Sequence, residues 1–474
     1  MKNQTSKQSS PFKRVHFIGI GGSGMLPLAH MAIALGHRVT GSDLQSSEQL
    51  KKLEKKAAKI YSSHHEDNIA HCDLIVISSA IKNNNIELLA AKKQSLQIMH
   101  RSEFLQFLTK GKKTVAVAGT HGKSTTSAMI THILEYAGYS PLSVVGGHML
   151  NYDQSWLHGK GEYFVIEADE SDGSFLNYTP FLSVITNIDN DHLDHYGNFD
   201  QILNSFSKFI SNTVDDGSIV INWDDRNLAQ LTQDIEIDRL AFGKSIGSDI
   251  RLLKYEIKEA KTKLDVMVER DRLKINLPLI GYHNVLNALS AITAARTLEV
   301  DNKAIIAALE SFKGVNRRLT NIYQSIEHKL AIFDDYAHNP SKIEASIAAI
   351  AEAYPDRKIF TIFEPHRYSR LQTMYNEFIS CFTESHYVAV LPIYAAGEPK
   401  DNSINEKSLA KDIGNASATK VYSFDKFPTP KQILDTHNPD HTIYLTVGAG
   451  ICNQLAYQLR DVLNETQSKL NDSF

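Results

Sequence analysis

Short apolar runs rich in valine and isoleucine alternate with longer amphipathic stretches along the chain. The first run, 15–20 (VHFIGI), leads through a glycine cluster into an apolar helical stretch at 25–35, and a second strand is predicted at 38–42. Further short apolar runs lie at 73–79, 114–119, 164–168 and 182–186. Strands that alternate with helices predict parallel sheets with helices packed on their faces.

The last third of the chain repeats this alternation. One helix is predicted at 342–353, and strand-like runs lie at 330–333, 358–363, 388–391 and 441–447. Between the two series, segment 241–280 is polar and alternating, which predicts a hairpin-like excursion. Breaks in the pattern of strands and helices near Gly111 and near 317–321 divide the chain into three predicted α/β domains, at 1–110, 111–318 and 319–474.

Glycines cluster directly after the first predicted strand. Gly19, Gly21 and Gly24 fit the pattern G-x-G-x-x-G, and Asp43 ends the next strand. Glycine lets the backbone turn sharply and lets a diphosphate reach the free N–H groups at a helix N-terminus. A carboxylate at the end of the second strand suits a sugar hydroxyl. The pattern predicts binding of a diphosphate-linked nucleotide. By itself it does not distinguish NAD from other nucleotides of this kind.

A second glycine loop follows the strand at 114–119. It reads GTHGKST and consists of Gly119, Thr120, His121, Gly122, Lys123, Ser124 and Thr125. It is shorter than the standard P-loop, but the essential chemistry is the same. Backbone N–H groups and the Lys123 ammonium attract phosphate oxygens, and the Ser124 hydroxyl suits Mg²⁺. The loop therefore predicts binding of ATP or GTP.

Two nucleotide-type loops in one chain narrow the function more than either does alone. A nicotinamide-dependent dehydrogenase needs only the first loop, and a plain ATPase needs only the second. An enzyme that phosphorylates a group attached to a nucleotide needs both loops. A regulator that binds nucleotides without turnover is a further alternative.

Acidic residues and a histidine follow the next two predicted strands. Glu167 lies in the run 164–168, and His192 follows the run 182–186 within TNIDNDHLDHY. Mg²⁺–ATP sites place acidic ligands at strand ends beside a P-loop. We therefore predict metal-binding roles for Ser124, Glu167 and His192. For Asp189, Asp191 and Asp194, the sequence pattern fits a solvent-exposed, helix-capping role as well as it fits metal binding.

Composition argues against several other classes of protein. The 474 residues include 50 basic and 54 acidic side chains, so the net charge of −4 does not favour binding to nucleic acid or to an anionic membrane. The three cysteines are too few for a disulfide framework. The polar first 14 residues predict no signal peptide, and no apolar run is long enough for a membrane span. A cytoplasmic enzyme is expected, and the oligomeric state, monomer or dimer, stays open.

Several sequence blocks resemble the Mur ligases of bacterial peptidoglycan synthesis, in the order in which that family carries them. They are GIGGSGM, GTHGKST, EADESDGSF, TNIDNDHLDHY, GYHNVLNAL, FKGVNRR, DDYAHNP and EPHRYSR, and they cover nearly the whole chain. The resemblance implies three α/β domains. These are a Rossmann-like N-terminal domain for a UDP-linked substrate, a central P-loop ATPase-type domain with a parallel sheet, and a Rossmann-like C-terminal domain that closes over ATP and binds an amino acid.

Within the family, GIGGSGM and PHRYSR most resemble the branch that joins L-alanine to UDP-N-acetylmuramate. This implies an ATP- and Mg²⁺-dependent amide ligase of cell wall biogenesis, which phosphorylates the lactyl carboxylate and lets the alanine amine attack the resulting acyl phosphate. The alternative is the recycling branch, which joins a murein tripeptide to the same UDP-sugar. A folate-type polyglutamylating ligase shares the short P-loop but lacks the N-terminal block.

The resemblance also implies roles for individual residues. The UDP diphosphate and its nucleoside meet Gly21, Gly22, Ser23, Gly24, Met25 and Asp43. The loop 119–125 cradles ATP, with Lys123 on the β- and γ-phosphates. Ser124 and Glu167 bind the Mg²⁺ that bridges ATP, and Glu167 binds a second Mg²⁺ together with His192. Further ATP contacts, at the adenine, the hinge and the ribose, come from Asn284, Arg318 and Asp335. L-Alanine or the acyl phosphate meets His338, Arg367 and Arg370.

A few positions depart from the family pattern. Ser124 replaces the usual threonine and keeps the hydroxyl, and Asn339 stands where a second histidine is common, so we assign Asn339 no catalytic role. Glu364 replaces a glutamine, which predicts an extra negative charge near the amino-acid site. Ile451 and Cys452 follow the C-terminal GAG where an aspartate is usual.

Overall fold

The computed structural model describes residues 11–258 and 260–471, without the side chains of 193–194 and 466–471. Most of the polar N-terminal stretch interpreted above, 1–10, lies outside the described residues. The chain forms two compact units. The first comprises Met1–Leu252, Val266–Arg272 and Asn287–Ala308, and the second comprises Leu253–Asp265, Leu273–Leu286 and Leu309–Phe474. The three domain limits given above stay a prediction.

The first unit begins with a five-stranded parallel sheet. Its strands are β1 (Arg14–Ile18), β2 (Arg38–Ser42), β3 (Lys59–Tyr61), β4 (Leu74–Ile77) and β5 (Gln97–His100). They are arranged in the order β3-β2-β1-β4-β5. The order reverses between β1 and β4, and open α/β sheets bind ligands at such a reversal, beyond the carboxyl ends of the strands. The first glycine loop follows β1 and therefore lies at this place.

A second sheet of the first unit carries the P-loop. Its strands are β6 (Lys113–Ala118), β7 (Leu142–Met149), β8 (Gln154–His158), β9 (Tyr163–Glu167), β10 (Leu182–Ile185), β11 (Ser218–Asn222) and β12 (Asp238–Gly243). They follow the order β12-β11-β10-β6-β9-β7-β8, and only β7 and β8 pair antiparallel among them. Because β6 lies between β10 and β9, the segments that follow these two strands flank the P-loop on either side.

The polar, alternating segment forms strands, as its pattern predicts. It contains β13 (Ile250–Lys258), β14 (Lys261–Val268) and β15 (Asp271–Leu277), which are successive hydrogen-bonded neighbours. Every second residue of β15 is buried, from Leu273 to Leu277. The division between the two units runs through these strands.

The second unit contains a six-stranded sheet. Its strands are β16 (Thr320–Ser325), β17 (Leu330–Asp335), β18 (Lys358–Phe363), β19 (Tyr387–Val390), β20 (Lys420–Ser423) and β21 (Thr442–Val447). The order is β16-β17-β21-β18-β19-β20, and only β16 is antiparallel to its neighbour. All residues of β17 and β21 are buried, which explains why their sequences, LAIFDD and TIYLTV, are mainly apolar.

Helices connect the strands throughout. Those that begin before residue 309 are α1 (Met25–Ala34), α2 (Glu48–Glu54), α3 (Ile86–Lys93), α4 (Arg101–Leu108), α5 (Lys123–Tyr136), α6 (Leu193–Tyr196), α7 (Phe199–Ser211), α8 (Arg226–Leu231), α9 (Tyr282–Thr297) and α10 (Asn302–Ser311). The later ones are α11 (Pro340–Ala353), α12 (Tyr368–Thr373), α13 (Tyr375–Ser380), α14 (Glu406–Ser417), α15 (Pro430–Leu434) and α16 (Cys452–Asn471). Within the described part of the chain, no helix combines the length and the apolar character needed to cross a bilayer.

Most predicted strands and helices are confirmed, and the α/β fold class is confirmed with them. The pattern did not predict β16, whose sequence TNIYQS contains mainly polar residues. This strand lies at the edge of its sheet, where one side of the backbone has no neighbouring strand and partial exposure tolerates polar side chains. A hydrophobic pattern therefore gives little signal for it.

Glu364 caps the N-terminus of α16. Its carboxylate accepts hydrogen bonds from the backbone N–H groups of Ile451 (3.1 Å) and Cys452 (3.2 Å), and its side chain is almost fully buried. A carboxylate at a helix N-terminus satisfies unpaired donors and interacts favourably with the helix dipole. The negative charge of Glu364 thus lies at the N-terminus of α16. Asn339 has a similar structural role, because its side chain accepts from Lys342 N at the start of α11 (3.1 Å).

Gly41 on β2 allows β1 and the glycine loop to pack closely against it. It pairs with Phe17 in the sheet, and a Cβ atom at Gly41 would lie 2.8 Å from the Phe17 carbonyl oxygen and 2.6 Å from Ile20 Cδ1. The backbone atom cannot move without disturbing the central strand of the sheet. A larger residue is therefore incompatible with this packing.

Replacing Gly41 with alanine is expected to lower the apparent unfolding midpoint in urea, because overpacking of this kind costs about 1–3 kcal/mol. Gly414→Ala is the control, since a Cβ there meets nothing closer than 3.5 Å and Gly414 lies inside α14. The control is expected to be neutral or slightly stabilising. Equal midpoints for Gly41→Ala and the wild type would contradict the packing argument.

Replacing Glu364 with glutamine is expected to destabilise the second unit by about 0.5–2 kcal/mol, because the helix cap loses its charge. Thermal unfolding followed by circular dichroism measures the change. Glu384→Gln, at an exposed position outside the helices, is the matched control and is expected to leave the midpoint unchanged. An unchanged midpoint for Glu364→Gln would show that the charge of this cap contributes nothing.

Candidate active site

The second glycine loop joins β6 to α5 through two backbone positions that require glycine. Gly119 has φ of +128° and Gly122 has φ of +83°. A Cβ at Gly119 would lie 2.1 Å from Thr186 Oγ1, and one at Gly122 would lie 2.2 Å from Asn287 Oδ1. Both neighbours belong to the same compact unit as the loop. Close packing from two sides thus fixes the path of the loop, as expected for a preformed phosphate cradle.

The segment after β10 fastens the loop by hydrogen bonds. His121 N donates to Asn187 Oδ1 (2.9 Å), Thr186 Oγ1 donates to the His121 carbonyl (2.6 Å) and Asp189 N donates to Thr120 Oγ1 (2.9 Å). The Asp189 carboxylate lies 3.2 Å from His121 Nε2. Of the two roles left open for Asp189, these contacts support the structural one. The side chain of Asp194, for which the same alternatives stood, lies outside the described side chains.

Lys123 begins α5 and is held in a buried ion pair. Its Nζ donates to the Gly119 carbonyl (2.7 Å) and to Glu170 Oε1 (2.8 Å), and it lies 2.7 Å from Glu170 Oε2. The side chain of Lys123 is 13% exposed and that of Glu170 is 2% exposed. Burial alone would lower the pKa of Lys123, but the carboxylates of Glu170, Asp169 and Glu167 outweigh it and raise that pKa. The lysine therefore stays cationic in its site.

Ser124 and Glu167 meet beside Lys123, as the sequence suggests. The Ser124 hydroxyl donates to Glu167 Oε1 (3.1 Å), and Gly146 N donates to Glu167 Oε2 (2.8 Å). A Cβ at Gly146 would approach the carboxylate to 2.5 Å, so the carboxylate is seated directly on the backbone of β7. Thr125 is buried in the same helical turn. The two oxygen-bearing groups at this position that could bind a metal ion are thus the Ser124 hydroxyl and the Glu167 carboxylate.

These donors fit the demands of Mg²⁺. The ion prefers oxygen ligands, and in nucleotide sites it takes one or two from the protein and the rest from water and phosphates. Within the described residues, no group of three or more His, Cys, Asp or Glu side chains is arranged to bind a metal by itself. Ser124 and Glu167 therefore suit a shared protein–nucleotide Mg²⁺ site rather than an all-protein cage.

His192 lies on the opposite flank of Lys123 and faces Glu170. Its Nε2 is 3.7 Å from Glu170 Oε1 and 3.9 Å from Asp191 Oδ2, and its backbone has φ of +59°. Tyr196 donates from its hydroxyl to the Glu170 carbonyl (2.5 Å), which fixes that segment from the same side. The sequence pattern alone does not indicate a role for Glu170. The signal that could have found it is its spacing, three residues after Glu167 at the end of β9.

The first glycine loop is organised around Asp43. Gly21 N donates to Asp43 Oδ2 (2.8 Å), and a Cβ at Gly21 would lie 2.8 Å from the same oxygen. Gly22 N closes a turn onto the Gly19 carbonyl (3.1 Å), and Ser23 is exposed. Helix α1 then begins after Gly24 without a side-chain cap and without an acidic residue in its first turn, and the Met25 side chain points into the core. The helix N-terminus is therefore suited to an anion.

The second unit contains two of the other candidates, Asn284 and Asp335, each held by its own contacts. Asn284 is buried and donates to the Ile280 carbonyl (2.8 Å) at the start of α9. The Asp335 carboxylate ends β17 and accepts from Ala337 N (3.0 Å) and from the Ser346 hydroxyl (2.8 Å). His283 directly precedes Asn284 in the sequence. Burial lowers the pKa of His283, although the charge of Asp335 opposes this.

Two consecutive arginines share the face of Tyr336. The Arg318 guanidinium carbon lies 5.5 Å from the ring centre and that of Arg317 lies 5.1 Å from it. Arg317 also donates to the Gly448 carbonyl (2.6 Å) and pairs with buried Asp334 (3.5 Å). Burial raises the pKa of Asp334 to about 6. Arg317 therefore ties the start of this unit to its C-terminal glycines, which leaves Arg318 as the candidate for a ligand.

His338 and the arginines of α12 form one cluster with His366. His338 donates from Nδ1 to the Tyr336 carbonyl (2.8 Å), and its ring centre is 5.8 Å from that of His366. Arg370 Nη1 lies 3.1 Å from His366 Nδ1, and Arg367, which directly precedes α12, has φ of +67°. Burial, with help from nearby cations, lowers the pKa of His338 to about 3 and that of His366 to about 4. Both rings are therefore neutral near pH 7.

Family comparisons cover most of the chain. Residues 14–113 match the model of the Mur ligase family, catalytic domain, and residues 117–295 match the Mur ligase middle domain. Residues 317–450 match the Mur ligase, glutamate ligase domain. These segments contain both glycine loops and the cluster around His338.

Individual proteins are similar over nearly their full length. A UDP-N-acetylmuramate–L-alanine ligase of Clostridium acetobutylicum is 38% identical over 92% of this chain and 95% of its own, and one of Carboxydothermus hydrogenoformans is 37% identical over 94% and 96%. The crystal structure of the UDP-N-acetylmuramate–alanine ligase MurC of Thermotoga maritima superimposes with a TM-score of 0.80 at 29% identity and covers 96% of this chain and 99% of that chain.

A murein peptide ligase of Psychrobacter arcticus shares the fold, with a TM-score of 0.68 at 24% identity over 95% of this chain and 99% of that chain. The family models and the relatives agree with the motifs and with the P-loop geometry. The chain belongs to the Mur ligase family.

Proposed function

We propose that this chain joins L-alanine to the lactyl carboxylate of UDP-N-acetylmuramate and converts ATP to ADP and phosphate. The observation that carries the proposal is the similarity to UDP-N-acetylmuramate–L-alanine ligases over 92–94% of the chain. The buried lysine on the P-loop supports it, because phosphoryl transfer needs a fixed cation at the transferred group. The activity belongs to peptidoglycan precursor synthesis, and hence to cell wall biogenesis, cell shape and cell division.

The reaction couples two displacements. An oxygen of the lactyl carboxylate attacks the γ-phosphorus of ATP, ADP leaves, and an acyl phosphate forms. The amine of L-alanine, having lost a proton from its ammonium form, then attacks the acyl carbon, and phosphate leaves as the amide forms. Direct condensation of a carboxylate with an ammonium is unfavourable in water, so the protein's work is to align the groups and to balance their charges.

In this scheme Lys123 binds the β- and γ-phosphates. Its contact with Glu170 keeps the ammonium fixed before ATP arrives, and its weakest contact, with the Thr120 carbonyl at 3.5 Å, is the one that a phosphate oxygen would replace. Ser124 and Glu167 would hold Mg²⁺, which would supply positive charge to a triphosphate that otherwise faces several carboxylates. His192, next to Glu170, is proposed to help bind a second Mg²⁺ with Glu167.

The remaining roles follow the family pattern. The backbone around Gly21, Gly22, Ser23, Gly24 and Met25 is proposed to bind the UDP diphosphate, with Asp43 near the nucleoside. In the second unit, Asn284, Arg318 and Asp335 are proposed as ATP contacts. Neutral His338 with Arg367 and Arg370 is proposed to bind L-alanine or the acyl phosphate, because a guanidinium pairs with a carboxylate through two parallel hydrogen bonds.

The compartment is part of the proposal. ATP and UDP-sugars are the proposed substrates, and all three cysteines are buried and unpaired, which suits the reducing cytoplasm. The recycling reaction with a murein tripeptide is the alternative. The higher TM-score of the alanine ligase structure, 0.80 against 0.68, and the names of the relatives favour alanine.

A phosphate-release assay with ATP, Mg²⁺ and UDP-N-acetylmuramate is expected to show turnover that depends on L-alanine. Parallel reactions with other amino acids, with L-alanyl-γ-D-glutamyl-diaminopimelate and without an acceptor test the choice of nucleophile. Turnover with the tripeptide and none with L-alanine would overturn the main proposal in favour of recycling. ATP binding without turnover in every reaction would indicate a regulator.

Replacing Lys123 with alanine is expected to lower phosphate release by at least about a thousandfold, because about 4 kcal/mol of charge stabilisation of the transferring group is lost. Binding of UDP-N-acetylmuramate, measured by calorimetry without ATP, is expected to stay within about twofold. Lys208→Ala, at an exposed position of α7, is the matched control and should keep wild-type turnover. Undiminished phosphate release in Lys123→Ala would remove Lys123 from the mechanism.

A further inference from the structure

Arg101 lies between the first glycine loop and the acidic segment that follows β9. It is the first residue of α4, directly after the carboxyl end of β5. Its Nη2 is 3.2 Å from Asp169 Oδ2 and 3.7 Å from Asp172 Oδ2. All of these residues belong to the first compact unit. One guanidinium thus connects the region of the UDP-type loop with the segment that also carries Glu167.

The other side of the guanidinium faces Gly24. A Cβ built at Gly24 would lie 3.4 Å from Arg101 Nη1 and 3.5 Å from Arg101 Cδ. Gly24 is the residue that precedes α1, whose N-terminus has no side-chain cap. A ligand phosphate seated on this helix terminus would therefore be within reach of a fixed positive charge.

The donors of Arg101 are only partly used by the protein. Guanidinium carries five N–H donors, and Asp169 takes one of them, on Nη2. Over 11–258 and 260–471, no hydrogen bond or ion pair engages Nη1 or Nε of this residue. The side chain is 24% exposed, so these donors are open to a ligand.

The two aspartates orient the guanidinium and are themselves well anchored. Asp172 accepts from Ser79 Oγ (2.9 Å) and from Ser174 N (3.0 Å), and Asp169 accepts from Ser171 N (3.2 Å). These hydrogen bonds fix both carboxylates, and through them the position of the guanidinium.

We propose that Arg101 is a substrate-binding residue that donates through Nη1 and Nε to the diphosphate of the UDP-sugar on the first glycine loop. This inference rests on the proposed function for the identity of the ligand. It adds a side-chain cation to a site for which the sequence analysis named only the glycine loop and Asp43. Because Asp169 continues to hold Nη2, the same contact fixes the diphosphate relative to the segment of Glu167.

The test is calorimetric binding of UDP, UDP-N-acetylglucosamine and UDP-N-acetylmuramate to the full chain without ATP. Arg101→Ala is expected to weaken binding of all three by a similar factor of about ten to a hundred, as for loss of charge-assisted hydrogen bonds to phosphate. Arg14→Ala is the matched control, because Arg14 pairs with Asp73 on the same sheet (3.0 Å) and is half exposed. It is expected to bind all three ligands as the wild type does.

Arg101→Gln serves as the second variant, in case the alanine variant does not fold, and its thermal unfolding is measured alongside. Unchanged binding by a folded Arg101→Gln or Arg101→Ala protein would overturn the inference and leave a purely structural ion pair. A loss confined to UDP-N-acetylmuramate would also overturn it, because the guanidinium would then contact the lactyl carboxylate. ATP binding is expected to be unchanged in both variants.

The two proposals fail separately. The amino-acid dependence of phosphate release in the wild-type chain tests the proposed function, whereas the binding of plain UDP tests Arg101. If the wild type binds UDP through Arg101 but releases phosphate only with another acceptor, the inference stands and the alanine assignment falls. If the wild type releases phosphate with L-alanine while the folded Arg101 variants bind UDP normally, only the inference falls.

Discussion

The buried ion pair between Lys123 and Glu170 is the interaction on which the nucleotide loop depends. A lysine that is 13% exposed has lost most of its hydration, and an unpaired charge in that position would cost several kcal/mol or would be lost by deprotonation. Glu170 supplies the countercharge at 2.7–2.8 Å. The pair exists only because β9 lies directly beside β6, so that 167–170 and 119–123 emerge at the same edge.

One acidic segment serves two nucleotide-type loops. Its carboxylates have separate partners at the P-loop and at the N-terminal sheet: Glu167 with Ser124, Asp169 with Arg101, Glu170 with Lys123, and Asp172 with Ser79. Like charges so close together would repel each other strongly without such partners. The distribution explains how a chain with little net charge maintains a dense acidic segment beside a site proposed for a triphosphate.

The sequence was most informative at positions where backbone conformation and packing allow only one type of residue. Gly119 and Gly122 lie in the predicted loop between strand and helix, where their φ values and close neighbours exclude other residues. The alternation of strands and helices predicted the fold class, since fully buried parallel strands such as β17 and β21 are mainly apolar. Edge strand β16 escaped prediction because half-exposed positions tolerate polar residues.

By itself, the sequence determined the two glycine loops, the α/β class and the family, because these depend on residues that are neighbours along the chain. Only the tertiary structure decided which charged side chains form pairs and which carboxylate lies at a helix N-terminus. Lys123 and Glu170 are 47 residues apart, Arg101 and Asp169 are 68 apart, and Glu364 and the N-terminus of α16 are 87 apart. Strand order sets these pairings, and strand order follows from the packing of whole sheets rather than from any local pattern.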